Sequence, residues 1–213
     1  MTNSPQHKMA KWLIKVLEPV LKSMIKYTVK DSFELVDILN KINIEEKHMA
    51  SFDVQSMFTN VAVREVIQII CDHVEKKNIQ LYLPVSVLER LLLLCTTDAS
   101  FSFQGNAYRQ IDGVAMGSPR GTVLLDLFMA HLEEKVTNIL GRAILYKRYV
   151  DDTLVITESL EEATKIVDQL NRIHPNIYFT MEYESNNTLN FLGITMTRRE
   201  NGTIARSVYR KET

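Results

Sequence analysis

The segment AILYKRYVDDTLVIT (Ala143–Thr157) places two apolar, β-rich runs on either side of an acidic pair. Runs of this kind that meet at a short polar junction are typical of two antiparallel strands. The segment therefore predicts a tight β-hairpin with the carboxylates of Asp151 and Asp152 at its tip. The acidic pair is a weak signal by itself, because a solvated turn has the same composition.

The flanking sequence predicts a mixture of helices and strands. Helical spacing of apolar residues, with Asp31 or Ser32 as an N-cap and Pro84 as a first helical position, predicts helices at 8–41, 63–77, 84–97, 118–140 and 159–173. Short apolar or alternating runs predict strands at 48–54, 177–183, 189–197 and 203–209, and a hairpin at 101–110 around Gly105. Four of the seven glycines lie between Gly105 and Gly121, which indicates tight turns in that region.

The order of these elements predicts an α+β fold. With the 101–110 hairpin set aside, the order is that of a split βαβ, ferredoxin-like antiparallel sheet with helices on one face. In such a sheet the strand at 48–54 lies beside the Ala143–Thr157 hairpin. We therefore expect Asp53 to lie next to Asp151 and Asp152, although they are far apart in the chain.

Composition excludes several classes of protein. The 213 residues are 46% hydrophobic and 24% charged, which are globular values and exclude disordered and low-complexity chains. Two cysteines cannot form a disulfide framework and predict reduced core thiols in an intracellular protein. No apolar run approaches the length of a membrane span, so we expect no membrane partner. The net charge of −1 is the sum of +5 in residues 1–30, −9 in 31–197 and +3 in 198–213.

Three converging carboxylates predict a metal site. Like charges at one sheet edge are costly unless cations neutralise them, and carboxylate oxygens suit Mg²⁺. Two such ions can stabilise the attacking and the leaving oxygen of a phosphoryl displacement. The alternative for Asp53 alone is a strand-end cap or an Asx turn.

Four ordered motifs resemble those of reverse transcriptases. They are Ser51–Asn60 (SFDVQSMFTN), Gly113–Pro119 (GVAMGSP), Tyr149–Asp152 (YVDD) and Asn190–Gly193 (NFLG). The sequence around Phe58-Thr59-Asn60, the run 101–113 and the closing Ser207–Lys211 resemble, more narrowly, the reverse transcriptases of Penelope-like retroelements. The resemblance covers most of the chain from about residue 5.

The resemblance implies a metal-dependent polymerase palm. Asp53 and Asp151 would be the principal ligands of two Mg²⁺ ions, with Mn²⁺ as an alternative ion. Asp152 would be a secondary ligand, and the backbone carbonyl of Val54 would complete one metal shell. The implied partners are an RNA or DNA template with its primer, and dNTPs. Protein partners are left open, and a nuclear location is expected from the family alone.

The resemblance also implies substrate-binding roles for further residues. Phe58 would lie under the sugar of the incoming nucleotide and exclude a 2′-hydroxyl, although a core aromatic is the alternative. Gly117 and Ser118 would approach the nucleotide and the template base. Tyr149 would lie near the primer end, although packing under the hairpin is the alternative. The primer backbone would be supported by Phe191, Leu192 and Gly193, although an ordinary strand with a Gly bulge is the alternative for these three.

The resemblance also implies a division into domains, and departures from the family pattern leave alternative functions open. Residues 1–47 would be partial helical fingers and 48–213 the palm, with a fingers insertion at about 63–112. The family's remaining finger and thumb segments would lie outside these residues, as in a fragment. Departures at Arg120–Thr122, Asp126 and Ala62, and the lack of a matching Lys between 175 and 190, leave open an inactive relic with at most weak nucleic-acid binding. A metal-dependent phosphohydrolase is the less favoured alternative.

Overall fold

A computed structural model describes residues 5–96, 100–109, 113–114 and 119–210. Its helices are α1 (Pro5–Val16), α2 (Glu18–Met24), α3 (Ser32–Leu39), α4 (Met57–Asn60), α5 (Val63–Lys76), α6 (Val85–Thr96), α7 (Pro119–Lys135), α8 (Thr137–Leu140) and α9 (Leu160–Leu170). Its strands are β1 (His48–Val54), β2 (Ser100–Phe103), β3 (Asn106–Arg109), β4 (Leu145–Tyr149), β5 (Asp152–Thr157), β6 (Phe179–Tyr183), β7 (Thr188–Phe191), β8 (Ile194–Arg198) and β9 (Ile204–Val208).

The predicted α+β class with an antiparallel sheet is confirmed. A four-stranded sheet has the order β4-β5-β1-β6, and all its neighbouring strands are antiparallel. Strand β1 lies between the hairpin strand β5 and the later strand β6, so the predicted placement of 48–54 beside the Ala143–Thr157 hairpin is correct. Helix α9 packs against three strands of this sheet. The sheet therefore has the strand order of a split βαβ fold.

The chain folds into two compact units. The first comprises Met1–Lys26 and Ser56–His131, and the second comprises Tyr27–Gln55 and Leu132–Thr213. The division predicted from the family resemblance, at residues 47 and 48, stays a prediction.

The core of the second unit joins its two sheets. Strands β7, β8 and β9 form a separate three-stranded antiparallel sheet. Fully or almost fully buried apolar side chains from α3 and from both sheets pack into one cluster, which includes Leu35, Met49, Leu154, Phe191 and Met196. This shared core holds the end of β7 in the same unit as the β4–β5 hairpin.

The first unit is helical with a hairpin. Helices α5 and α6 pack together through apolar faces that include Val66, Ile70 and Leu92. Strands β2 and β3 form the predicted hairpin, with Gly105 at φ 79° in its turn. Cys71 lies in α5 and Cys95 in α6; both are buried and neither forms a disulfide, in agreement with the predicted core thiols. No helix within the described ranges is long and apolar enough to cross a bilayer.

Three predictions of local structure need correction, and one is confirmed. The predicted strand 189–197 is two strands, β7 and β8, because the chain reverses at Leu192 and Gly193, both at positive φ. The helix predicted to reach residue 140 is interrupted at Val136 between α7 and α8. The helices predicted within 8–41 are confirmed: they are α1, α2 and α3, and Asp31 is the N-cap of α3. Pro84 precedes the first residue of α6, where its carbonyl accepts the amides of Val87 and Leu88.

Candidate active site

Strand β1 presents Asp53 away from the core. Phe52 and Val54 on either side of it are buried, and Asp53 is exposed, as the alternation of a strand requires. Asp53 pairs with Thr180 of β6, whose hydroxyl donates to the Asp53 backbone carbonyl at 3.3 Å. Val54, whose carbonyl is a predicted metal ligand, is the last residue of β1.

The hairpin of β4 and β5 carries the acidic pair at its turn, as predicted. Tyr149 pairs with Asp152, so Val150 and Asp151 form a two-residue turn. Val150 has φ 57°, in the left-handed region that a β-branched residue rarely adopts. Such a conformation costs about 1–3 kcal/mol and persists only where the surrounding structure holds it.

The strand register brings Asp53 and Asp152 together. Phe52 of β1 pairs with Thr153 of β5, so the next residue of β1 and the preceding residue of β5 lie at the same end of adjacent strands. This is the juxtaposition that the sequence predicts. It arises because β1 and β5 are antiparallel, so that the end of one meets the beginning of the other.

The three carboxylates interact electrostatically. Burial, followed by the negative charges of Asp151 and Asp53, raises the pKa of Asp152 to about 6. Partial burial of the Asp53 carboxyl, followed by the charge of Asp151, raises the pKa of Asp53, although the residue as a whole is exposed. A cation near these groups would favour their charged forms against both the burial and the repulsion that raise the two pKa values.

A cleft of about 340 Å³ lies beside Asp53 and Asp152. Phe191 and Leu192, two of the residues predicted to contact the primer, line the same cleft. Gly193 follows them in the β7–β8 turn at φ 73°, where no neighbouring atom would meet an added Cβ, so backbone conformation alone favours glycine there. The alternative of one strand with a Gly bulge is therefore wrong, because these residues form a turn between two strands.

Sequence reasoning missed some polar residues of the cleft. Thr180, Glu182 and Asn190 also line it. They come from β6 and β7, and no local pattern in the sequence distinguishes them from other strand residues. Asn190 belongs to the quoted NFLG motif, which is the one signal that pointed toward it.

Phe58, the predicted nucleotide-binding residue that the structure describes, belongs to the first unit. Phe58 lies in α4 and is partly buried, and its backbone carbonyl accepts the amide of Val114 at 2.7 Å. Gly113 has φ 83°, and a Cβ there would lie 3.0 Å from the same carbonyl oxygen. Gly117 and Ser118 lie outside the described residues. Tyr149, predicted near the primer end, is partly buried at the end of β4 in the second unit.

The carboxylates fit part of a magnesium site. Within the described ranges, no three His, Cys, Asp or Glu side chains form a metal-ligand cluster. Mg²⁺ in phosphoryl-transfer sites typically uses one or two protein carboxylates and takes its other ligands from water and substrate phosphates. Asp53 and Asp152 beside an open cleft meet that requirement, and their pKa values are raised by burial and then by repulsion among the carboxylates, which a divalent ion would offset.

Comparison with known proteins identifies a family and a fold. The sequence profile of the family described as reverse transcriptase (RNA-dependent DNA polymerase) matches residues 4–194. No curated protein matches the chain.

Solved structures with the same fold include polymerases of two kinds. The apo telomerase of Candida tropicalis, truncated of its C-terminal domain, matches with a TM-score of 0.68 at 16% identity over 96% of this chain and 45% of that one. The telomerase of Candida albicans in complex with a fragment of telomeric RNA matches with a TM-score of 0.67 at 13% identity, over 93% of this chain and 40% of that one. The BmCPV RNA-dependent RNA polymerase at its elongation state matches with a TM-score of 0.57 at 14% identity, over 95% of this chain and 20% of that one. The chain therefore spans less than half the length of these structures.

Proposed function

This chain belongs to the reverse transcriptase (RNA-dependent DNA polymerase) family, and we propose that the cleft beside Asp53 and Asp152 is its polymerase active site. The observation that carries the proposal is the convergence of Asp53, Asp152, Phe191 and Leu192 on one cleft from three separate strands and a turn. A catalytic carboxylate pair and a primer-contacting turn must share a cleft if a primer end is to be extended there.

The proposed reaction adds one deoxynucleotide to a primer. The primer 3′-oxygen forms a bond to the α-phosphorus of a dNTP, the bond between the α-phosphorus and the bridging oxygen breaks, and pyrophosphate leaves. The proton of the 3′-hydroxyl passes to solvent. Bound Mg²⁺ or Mn²⁺ ions would stabilise the charge on the attacking and leaving oxygens. Asp53 and Asp151, with Asp152 and the Val54 carbonyl in supporting positions, would hold those ions.

The substrate residues extend this proposal. Phe191, Leu192 and Gly193 would support the primer backbone, and Tyr149 would lie near the primer end. Phe58 would select deoxyribose, because a ring beneath the sugar leaves no room for a 2′-hydroxyl. Gly117 and Ser118 would approach the nucleotide and the template base. The template would be RNA, with DNA as an alternative.

We further assign the chain to a Penelope-like retroelement. The support is the sequence around Phe58-Thr59-Asn60, the run 101–113 and the closing Ser207–Lys211. A nuclear site of action follows from that assignment.

An inactive relic is the second candidate, and the Arg120-Gly121 pair favours it. A second glycine in the first turn of a helix reduces helix propensity by about 1 kcal/mol relative to alanine, and the positive charge of an arginine there opposes the helix dipole. Helix α7 nevertheless begins at Pro119 and continues through Gly121. The helix therefore tolerates these departures, and measured incorporation distinguishes an enzyme from a relic.

Primer extension tests the proposal. We expect the chain to extend a DNA primer on an RNA template with Mg²⁺, and Asp151→Asn to reduce the rate at least about 100-fold, because a metal ligand contributes several kcal/mol to the transition state. Asp37→Asn, on the exposed side of α3, makes the same charge change away from the cleft and should retain the rate. Template–primer binding without incorporation would favour the relic, and nucleotide hydrolysis without a primer would favour a phosphohydrolase.

A further inference from the structure

A buried ion pair lies directly behind the catalytic hairpin. The side chain of Arg148 in β4 is 0% exposed, that of Glu133 in α7 is 2% exposed, and Nε of the arginine lies 2.7 Å from Oε1 of the glutamate. Nη2 of Arg148 also donates to the second carboxylate oxygen at 3.4 Å. Replacement of a buried pair by apolar side chains is often neutral or stabilising, so stability alone does not account for two charges at this position.

The guanidinium reaches the turn that carries Asp151. Nη1 of Arg148 donates to the backbone carbonyl of Val150 at 2.9 Å, and Nη2 donates to the Thr28 hydroxyl at 3.1 Å. The Tyr146 hydroxyl donates to Glu133 at 3.3 Å and completes the network. One planar group with five donors can make these contacts together, which a lysine ammonium cannot.

The backbone of Arg148 is held as firmly as its side chain. Its amide donates to the Tyr27 carbonyl at 3.0 Å, and its carbonyl accepts the Val29 amide at 2.8 Å. The segment at 27–29 therefore pairs with the outer edge of β4. Because both ends of Arg148 are held, the guanidinium is a rigid support and not a mobile surface group.

The carbonyl that Arg148 holds belongs to the strained residue of the turn. Val150 is β-branched and has φ 57°. Its carbonyl is part of the peptide group that joins it to Asp151, so a hydrogen bond to that oxygen restrains the orientation of this peptide. Without the bond, Val150 can relax to a negative φ, which would turn the Asp151 backbone away from its present position.

We propose that Arg148, oriented by Glu133, is a positioning residue that holds the Val150–Asp151 peptide and so keeps the carboxylates of Asp151 and Asp152 in place beside Asp53. The effect on catalysis rests on the proposed polymerase function. The effect on the hairpin itself does not, and it can be measured without metal or substrate.

The test replaces the whole ion pair, so that no unpaired charge is left buried. In Glu133→Met/Arg148→Met, we expect amide hydrogen exchange at residues 149–152 of the metal-free chain to rise about 10- to 100-fold, the range expected for loss of a hydrogen bond to a charged group. The matched control is Glu184→Met/Arg198→Met, which removes another largely buried ion pair of the second unit. We expect the control to leave exchange at 149–152 unchanged.

Kinetics then separate positioning from binding. We expect the Glu133→Met/Arg148→Met variant to lower kcat for primer extension about 10- to 100-fold, with KM for template–primer within about twofold. Arg148→Lys retains the charge opposite Glu133 and loses the forked donors of the guanidinium. It should therefore raise hydrogen exchange in the hairpin and lower kcat, as the double variant does. This single variant also gives the answer if the double variant does not fold.

Each outcome decides the proposal. Unchanged exchange at 149–152 in folded variants would overturn it, and so would raised exchange with an unchanged kcat. If the unsubstituted chain does not extend primers, the proposed function fails, and the exchange measurement still decides whether Arg148 holds the hairpin.

Discussion

At the scale of single residues, the raised pKa of Asp152 shows that a charged carboxylate beside the cleft is unfavourable for stability. Its pKa is raised to about 6 from 3.8, first by burial and then by the charges of Asp151 and Asp53. Because the folded chain binds this proton more tightly than the unfolded chain, ionisation of Asp152 removes stability as the pH rises from about 4 to about 6. The charged residue is therefore kept at a cost to stability, as expected of a functional group.

Asp152→Asn should stabilise the metal-free chain at pH 7 and have little effect near pH 4. The expected gain at pH 7 is about 1 kcal/mol, which allows for solvent screening of this half-buried group. Urea unfolding at the two pH values measures the difference. Asp37→Asn is the control for loss of one carboxylate from the exposed surface, and destabilisation by Asp152→Asn at pH 7 would contradict the electrostatic account.

Phe58 provides a second prediction at this scale. If its ring excludes a 2′-hydroxyl, Phe58→Val should raise the ratio of ribonucleotide to deoxyribonucleotide incorporation about 10- to 100-fold. The ratio of kcat/KM for ATP and dATP measures it. Phe33→Val changes a ring that is 80% exposed on α3 and should leave the ratio as it was. An unchanged ratio in Phe58→Val would contradict the sugar-selecting role and favour the alternative that Phe58 is a core aromatic.

At the scale of elements, the loop at Gly113 and helix α4 depend on each other. The Val114 amide donates to the Phe58 carbonyl, and Gly113 approaches that oxygen closely at a positive φ. Only glycine meets both conditions without strain. The contacts of Gly113 and Val114 with the Phe58 carbonyl therefore position the backbone of α4 at Phe58.

Gly113→Ala should displace Phe58 as well as strain the loop. We expect a loss of about 1–2 kcal/mol in unfolding free energy and a shift in sugar selectivity in the same direction as Phe58→Val. Gly105→Ala is the matched control, because Gly105 has φ 79° and open space around its Cβ position. It should cost stability and leave selectivity alone, and equal selectivity in the two alanine variants would contradict the close-approach argument.

At the scale of the whole molecule, near-neutrality conceals an uneven distribution of charge. Residues 1–30 carry +5, whereas residues 31–197 carry −9. Lys8, Lys11 and Lys15 lie exposed along one side of α1 at helical spacing. A basic helix face of this kind can meet the phosphates of a template.

Lys8→Gln/Lys11→Gln/Lys15→Gln should weaken RNA binding and reduce its salt dependence. If all three lysines meet phosphates of a single strand, the slope of log K against log salt should fall in magnitude by about 2. Fluorescence anisotropy with a single-stranded RNA over a salt series measures it. Lys41→Gln/Lys76→Gln/Lys165→Gln removes three other exposed charges, and an equal fall in slope in that control would show a nonspecific charge effect.

Local patterns predicted most of the elements correctly because the causes are local. Asp31 and Ser159 cap α3 and α9 through hydrogen bonds to amides three residues ahead, and those bonds are encoded by the adjacent sequence. The two apolar runs on either side of Asp151 and Asp152 predict the hairpin for the same reason. The prediction of one strand at 189–197 is wrong, because the apolar run continues through the Leu192-Gly193 turn and only the pairing of β7 with β8, and of β8 with β9, reveals the reversal.

The sequence by itself determined the helices, most strands and the identity of the acidic residues. Only the tertiary structure decided that β1 lies between β5 and β6, which brings Asp53 to Asp152, and that the β7–β8 turn lines the same cleft. It alone placed Arg148 of β4 against Glu133 of α7 and showed that both charges are buried. The reason is physical: a turn or a cap depends on near neighbours, whereas strand pairing and the burial of a charge depend on which distant segments exclude water together.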